Sequence, residues 1–267
     1  MKKNKLKKKI NILDYKEIKT LNLDNKSINL IDIRLEKNNS NKYIHQSFEL
    51  AFYLVKNKFS YKFINGPINK KSFLQKKFLG ITEFISHRFK SKNMGMLIYN
   101  KNLSVSPITT HVPIKLVTKY ISKKIIENKI KIIDEFFRRT LKYKPKIGVT
   151  GLNPHCESVS TFSEEDKIIT PAIRSQKKRG VDVKGPFSAD TIFLKKNRKK
   201  FNVIIGMYHD QVLTPIKTLF EFDAINITMG LPFMRLSPDH GPNEKMVGKK
   251  ISNPLSLVRA IEFLDSK

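Results

Sequence analysis

The sequence predicts an α/β fold, a mostly parallel sheet with helices on both faces. Two observations carry this. Strand-like and helix-like segments alternate along the 267 residues, as they do when crossover units build a sheet. The strand-like segments are mostly continuous apolar runs, which is how a strand buried on both faces reads. A hydrophobic share of 40% supplies a core for such a sheet.

Residues 1–9 are a Lys-rich lead expected to fray. Ile28–Ile33 reads as a short buried strand and Lys37–Lys42 as a polar loop. Ser47–Lys58 is a helix, because Phe48, Ala51, Phe52 and Val55 recur on one face. Tyr61–Asn65 is a strand ended by Gly66–Pro67, and Leu103–Thr110 is extended. Ile114–Leu141, after Pro113, is helical in two pieces, and Lys146–Gly151 is a strand. Ser163 and Asp166 make a capping-box pattern opening a helix that stops at Gly180. Pro171 inside it predicts a kink or a later start. Asn202–Met207 and Ala224–Met229 are strands, and Leu255–Leu264 is a closing helix.

Charge is the most conspicuous feature of the composition. Lys+Arg is 52 against 23 Asp+Glu, a formal charge of +29. Only 9 of the 52 are Arg, and they are scattered. A nucleic-acid reader would cluster its Arg and interleave aromatics, so no nucleic-acid partner is expected. Lys, Asn and Ile enriched together point to an A/T-rich coding bias instead. No apolar run approaches the roughly 20 residues that span a bilayer, and Met1–Ile10 lacks the apolar core of a signal peptide. The single Cys156 excludes an intramolecular disulfide and fits a reducing, cytoplasmic setting.

Three of the six histidines share one kind of position. His111, His155 and His209 each follow the C-terminal end of a predicted strand, where open α/β sheets bind ligands. Converging there, three imidazoles would hold a divalent metal with positions left open for substrate; singly, each reads as a hydrogen-bonded strand-end histidine. Asp210 adjoins His209, and Asp190 opens a helix after Gly185–Pro186, as an acceptor for a substrate hydroxyl or as a cap. Lys217 and Arg235 read as cations suited to a phosphate or as solvated surface charges, the default in a chain this rich in Lys. Asn226 sits inside an apolar strand, where a buried amide needs partners. Asp239-His-Gly241 reads either as a turn with acid/base character or as an ordinary Asp/Gly turn.

Several segments in order resemble the 4-hydroxythreonine-4-phosphate dehydrogenases of vitamin B6 biosynthesis. They are Gly66-Pro-Ile-Asn-Lys70, Gly80-Ile-Thr-Glu83, Thr110-His-Val-Pro113, Gly151-Leu-Asn-Pro-His155, Gly185-Pro-Phe-Ser-Ala-Asp190, Met207-Tyr-His-Asp-Gln211, Asn226-Ile-Thr-Met-Gly-Leu-Pro-Phe233 and Asp239-His-Gly241. The resemblance implies a two-lobed fold like that of isocitrate and isopropylmalate dehydrogenases. The first lobe would be 1–75 with 247–267, and the second 76–246. It implies a homodimer with an active site shared between subunits, NAD as oxidant, and a divalent metal (zinc, magnesium or cobalt) on His111, His155 and His209. It places substrate contacts on Thr82, Asp190, Lys217, Asn226 and Arg235, with Asp210 nearby. Asp190 and Asp210 are the implied catalytic residues, the proton acceptor being Asp190 or a metal-bound water. The implied reaction oxidises the secondary alcohol of 4-phosphooxy-L-threonine to a 2-amino-3-oxo acid phosphate, which decarboxylates to 3-amino-2-oxopropyl phosphate.

Three departures leave alternatives open. The family's Gly-rich opening segment has no counterpart, so the chain reads as shortened by about one βαβ unit. Ile81 stands where the family has His, and Cys156-Glu-Ser-Val-Ser160 replaces a Gly-rich loop. A relative acting on another phosphorylated hydroxy acid, or a non-catalytic homologue, therefore remains an alternative.

Overall fold

The structure is a computed structural model. It describes residues 8–17, 23, 26–36, 39–74, 77–78, 80–91, 93–157, 161–242, 244–246, 248–249 and 251–267. Most of the Lys-rich lead and the end of the Cys156–Ser160 replacement lie outside the described residues. The chain divides into two compact units, Met1–Phe63 and Ile64–Lys267.

In the first unit, β1 (Ile10–Ile12) pairs in parallel with β2 (Ile28–Leu30). The sequence led us to expect a buried strand over Ile28–Ile33. β2 is shorter and exposed along its length, since apolar composition alone does not supply a covering layer. Helix α1 (Ser40–Lys56) begins inside the expected polar loop. Its Asn39 side chain accepts from the Lys42 N–H at 3.2 Å, so a polar first turn was helical all along. Strand β3 (Lys62–Ile64) ends the unit and starts the next.

The second unit adds α2 (Lys70–Leu74), α3 (Ile81–Phe89), β4 (Gly95–Tyr99), β5 (Ser104–Thr109), α4 (Lys123–Phe136), β6 (Ile147–Thr150), α5 (Thr170–Lys178), β7 (Val183–Phe187), α6 (Ala189–Ile192), α7 (Lys195–Arg198), β8 (Val203–Tyr208), α8 (His209–Phe220), β9 (Ile225–Met229), β10 (Met234–Pro238) and α9 (Leu255–Asp265). The expected Ile114–Leu141 helical stretch is a 3-10 turn followed by α4 and a short π segment. At the expected capping box, the Asp166 N–H donates to Ser163 Oγ at 3.3 Å. A π segment follows, and Pro171 sits in the first turn of α5, where its missing N–H costs nothing.

The strands run in the order β10-β9-β4-β5-β8-β6-β7. From β5 through β8 and β6 to β7 the pairing is parallel, as the apolar runs predicted. From β5 through β4 and β9 to β10 it is antiparallel. Chain connectivity explains this second half: β4–β5 and β9–β10 are joined by short turns, which can link only antiparallel neighbours. Gly230 makes the β9–β10 turn possible. Its φ is +87°, and a Cβ there would lie 2.1 Å from the Asn93 carbonyl oxygen.

Two apolar layers cover the sheet. On one face Leu97, Val203, Ile205, Ile225, Ile227 and Leu236 pack with residues of α4, α5 and α9. On the other, Met96, Ile98, Val105 and Ile204 pack with Val212, Leu213 and Ile216 of α8. β4 and β8 therefore feed both layers, which is why β8 reads as an unbroken apolar run. The second layer stops at β9 and β10. α9, assigned from the sequence to the first lobe, packs on β9 and β10. Among the described residues no helix is long and apolar enough to cross a membrane.

Candidate active site

Where the second apolar layer stops, a cavity of about 600 Å³ opens, within the usual range of small-molecule sites. Register explains its floor. In β9 the apolar Ile225, Ile227 and Met229 alternate with Asn226 and Thr228. Thr228 lies opposite Arg235 and Asn226 opposite Ser237. All four polar side chains thus share the face beside Met96 and Ile98 of β4. Asn226, Arg235, Ser237, Met96 and Ile98 line the cavity.

Arg235 is 2% exposed. Its Nε donates to Asn65 Oδ1 at 2.8 Å and its Nη1 to Thr228 Oγ1 at 2.9 Å. Among the described residues no carboxylate lies within 4 Å of it. Burial pulls the guanidinium down to about 10, while the Glu83 charge works the other way. The Asn226 Oδ1 is buried without a hydrogen-bond partner. This corner is a cation with neutral donors and acceptors around it, open toward a ligand.

His111 and His209 form the opposite wall. β5 and β8 are parallel neighbours with Thr109 beside Tyr208, so the residues just beyond their C-terminal ends must meet. The two rings lie 6.0 Å apart between centroids. Glu83 Oε1 stands 3.9 Å from His111 Nδ1 and accepts from Thr110 Oγ1 at 3.2 Å. Burial pushes the Glu83 carboxyl up, but the His111 imidazole, the backbone and the Thr110 hydroxyl outweigh it and hold it below the usual range. The packing needs Gly80: a Cβ there would come within 2.6 Å of Glu83 Oε2 and 2.8 Å of His111 Cε1. His209 Nδ1 lies 2.6 Å from Asp210 Oδ1. Gln211 braces the strand ends behind them, accepting from the Met207 N–H at 2.7 Å and donating to the Gly151 carbonyl at 2.9 Å.

The cavity thus gathers Thr82, His111, His209, Asn226 and Arg235 from the residues singled out in the sequence, with Ile81 as an apolar wall. Lys217 pairs with Asp239 at 2.6 Å, and Asp239 rather than Lys217 lines the cavity. Burial raises the Asp239 carboxyl, and Lys217 offsets part of that. His155 and Asp190 stand apart, facing each other at 3.7 Å with side chains 71% and 57% exposed. Glu165 fixes the loop before His155 by accepting from the Leu152 and Asn153 N–H groups at 2.7 and 2.8 Å. Among the described residues no three His, Cys, Asp or Glu groups are close enough to hold a metal. Sequence reasoning missed Asn65, Asn69, Ser237 and Glu244 as wall residues. Ser237 was legible as the residue two beyond Arg235 in a strand. Nothing local marks Glu244, which accepts from Asn69 Nδ2 at 2.9 Å.

Known proteins resemble this chain in sequence and in fold. The family model of the pyridoxal phosphate biosynthetic protein PdxA matches residues 1–264. A 4-hydroxythreonine-4-phosphate dehydrogenase of Sulfurihydrogenibium sp. is 38% identical over 94% of this chain and 81% of its own. A D-threonate 4-phosphate dehydrogenase of Salmonella typhimurium is 36% identical over 66% of this chain and 55% of its own. The crystal structure of a 4-hydroxythreonine-4-phosphate dehydrogenase from Klebsiella pneumoniae superposes with a TM-score of 0.80 at 28% identity, over 97% of this chain and 83% of that one. An isocitrate dehydrogenase from Methylococcus capsulatus shares the fold, with a TM-score of 0.54 at 10% identity, over 82% of this chain and 70% of that one.

Proposed function

The chain belongs to the PdxA family of pyridoxal phosphate biosynthetic proteins, and from that premise we propose that it oxidises 4-hydroxythreonine 4-phosphate with NAD in the cytoplasm. The alcohol carbon gives up a hydride and its oxygen a proton. The resulting 2-amino-3-oxo acid phosphate then loses CO2 to leave 3-amino-2-oxopropyl phosphate.

Arg235 is the observation that carries this reading. A buried cation without a counter-charge is costly, and a phosphate in the cavity would complete it. Its planar fork is already oriented by Asn65 and Thr228, so little side-chain freedom is lost on binding. Asn226 and Thr82 would fix the rest of the substrate, and Asp239 faces the same space. Anchored at the phosphate, the reacting C–H bond has a defined position.

The imidazoles of His111, His155 and His209 suit a divalent metal in kind, but among the described residues of one chain no three such groups lie close enough to hold it. His111, His155 and His209 each turn Nδ1 to a carboxylate, at 3.9, 3.7 and 2.6 Å, which leaves Nε2 free as a ligand atom. Bound there, the metal would lower the pKa of the substrate hydroxyl, and NAD would accept the hydride. His155 stands apart from the other two within one chain. We therefore read the working enzyme as a homodimer whose site takes residues from both copies. The chain's own contribution is to hold the phosphate at Arg235 and to present His111 and His209 across the cavity.

Ile81 supports a second reading. It puts an apolar side chain on the cavity wall, and the Salmonella relative is named for a different phosphorylated hydroxy acid. One assay addresses both: NADH formation from 4-hydroxythreonine 4-phosphate and from D-threonate 4-phosphate, with zinc, magnesium or cobalt. Turnover of the first, lost in His209→Ala, is expected. Turnover of D-threonate 4-phosphate alone would establish the second reading, and turnover of neither would overturn both.

A further inference from the structure

We propose that Lys129 anchors a second anion site, which takes a small oxyanion such as inorganic phosphate. The site is a pocket of about 170 Å³ between α4 and the start of β4, with Asn93, Asn128 and Lys129 as its polar lining. It is separate from the active-site cavity. Met96 and Ile98 of β4 face that cavity. Gly95 and Leu97 alternate with them and face the layer that α4 covers. Lys129 lies on this other face, its Nζ 3.4 Å from where a Cβ on Gly95 would stand.

Lys129 is 8% exposed, and among the described residues it is the only charged one lining the pocket. The three acids of its own helix are engaged elsewhere. Glu127 pairs with Lys123 at 4.0 Å, Glu135 with Lys131 at 3.9 Å and Asp134 with Arg138 at 2.8 Å. Glu83 acts on Lys129 only as a more distant charge. Burial lowers the amine to about 8, so at pH 7 it still carries its proton. A buried charge without a counter-ion is costly, and an anion in the pocket supplies one.

The rest of the lining suits an oxyanion. Asn93 and Asn128 bring amide N–H donors, and neither side chain has a hydrogen-bond partner among the described residues. An ammonium group binds phosphate oxygens as a point charge, and the amides add direction. Ile108 and Ile132 complete the wall without competing for the ion. Gly95 leaves the room, since a Cβ there would also lie 2.9 Å from Met229 Cε. Size sets the ligand class. The pocket falls well below the roughly 300–1,000 Å³ of drug-sized sites, so it fits an ion of phosphate or sulfate size and not a nucleotide.

Calorimetric titration with inorganic phosphate at pH 7 and fixed ionic strength tests the site. The full chain carries Arg235→Met, so that the active-site cation does not contribute. Saturable millimolar binding at one site is expected, with a melting temperature that rises with phosphate. Adding Lys129→Met should weaken binding about 10–100-fold and remove that rise. Asn128→Asp changes an exposed residue; it sets a negative charge beside the pocket and should weaken binding too. Sulfate should compete with phosphate, and chloride at the same ionic strength should not. Absence of saturable binding in Arg235→Met, an affinity unchanged by Lys129→Met, or chloride competing as well as sulfate would each overturn the proposal. Should Lys129→Met fail to fold, Asn128→Asp decides the question, and phosphate affinity unchanged in that variant overturns the site.

Discussion

The β9–β10 hairpin and the segment around His155 both belong to the second unit and both carry residues marked by the family motifs. They are built differently. On the hairpin, ladder register fixes which side chains share a face, and Arg235 is buried and braced before any ligand arrives. At His155 the chain is a 3-10 turn, the residue itself has φ +55°, and the side chain is 71% exposed. A sheet positions a side chain by hydrogen bonds on both edges. A loop leaves that work to whatever docks on it. The first region is braced by its own sheet, and the second is left to loop geometry and solvent.

The largest effect should come from breaking the braced region. Arg235→Met keeps most of the volume but removes the buried cation. Steady-state kinetics should show kcat/KM falling by about 10³, or about 4 kcal/mol, while thermal melting does not drop. Activity retained in this variant would remove the phosphate anchor from the account.

Lys129 supplies the contrast that sharpens this. It is also a buried cation, on α4, but it lies outside the cavity and has no hydrogen-bond or ion-pair partner among the described residues. Burial lowers it from 10.5 to about 8, against a pull from Glu83. A folded-state pKa below the unfolded one gives stability that is fully present above pH 10.5 and lost as pH falls toward 8. Lys129→Met should therefore match the wild type near pH 10.5 and exceed it by about 3 kcal/mol below pH 8. Denaturant unfolding across that range measures it, with kcat unchanged.

Smaller effects come next. Asn226→Ala should cost about 1–3 kcal/mol in kcat/KM, because it lines the cavity and its Oδ1 has no hydrogen-bond partner in the protein. His155→Ala should change folding stability by no more than about 0.5 kcal/mol, yet lower the metal content of the purified protein. A large stability loss there would show that the His155–Asp190 contact is structural, and the comparison would fail.

The sequence by itself determined much of this. Apolar runs at Asn202–Met207 and Lys146–Gly151 predicted strands buried on both faces, and two core layers cover the sheet they enter. Strand-end placement picked out His111 and His209, and the parallel β5–β8 register brings them together. Local order is written in side-chain size and spacing, so it is legible one segment at a time. Tertiary structure decided the rest. It turned half the sheet antiparallel through short connections, left β2 exposed, tied Lys217 to Asp239 and set His155 away from its expected partners. It also brought Glu83 behind His111 and Asn65 onto Arg235, residues separated by 28 and 170 positions. Those pairings depend on which elements lie side by side in the sheet, and no local stretch of sequence contains that information.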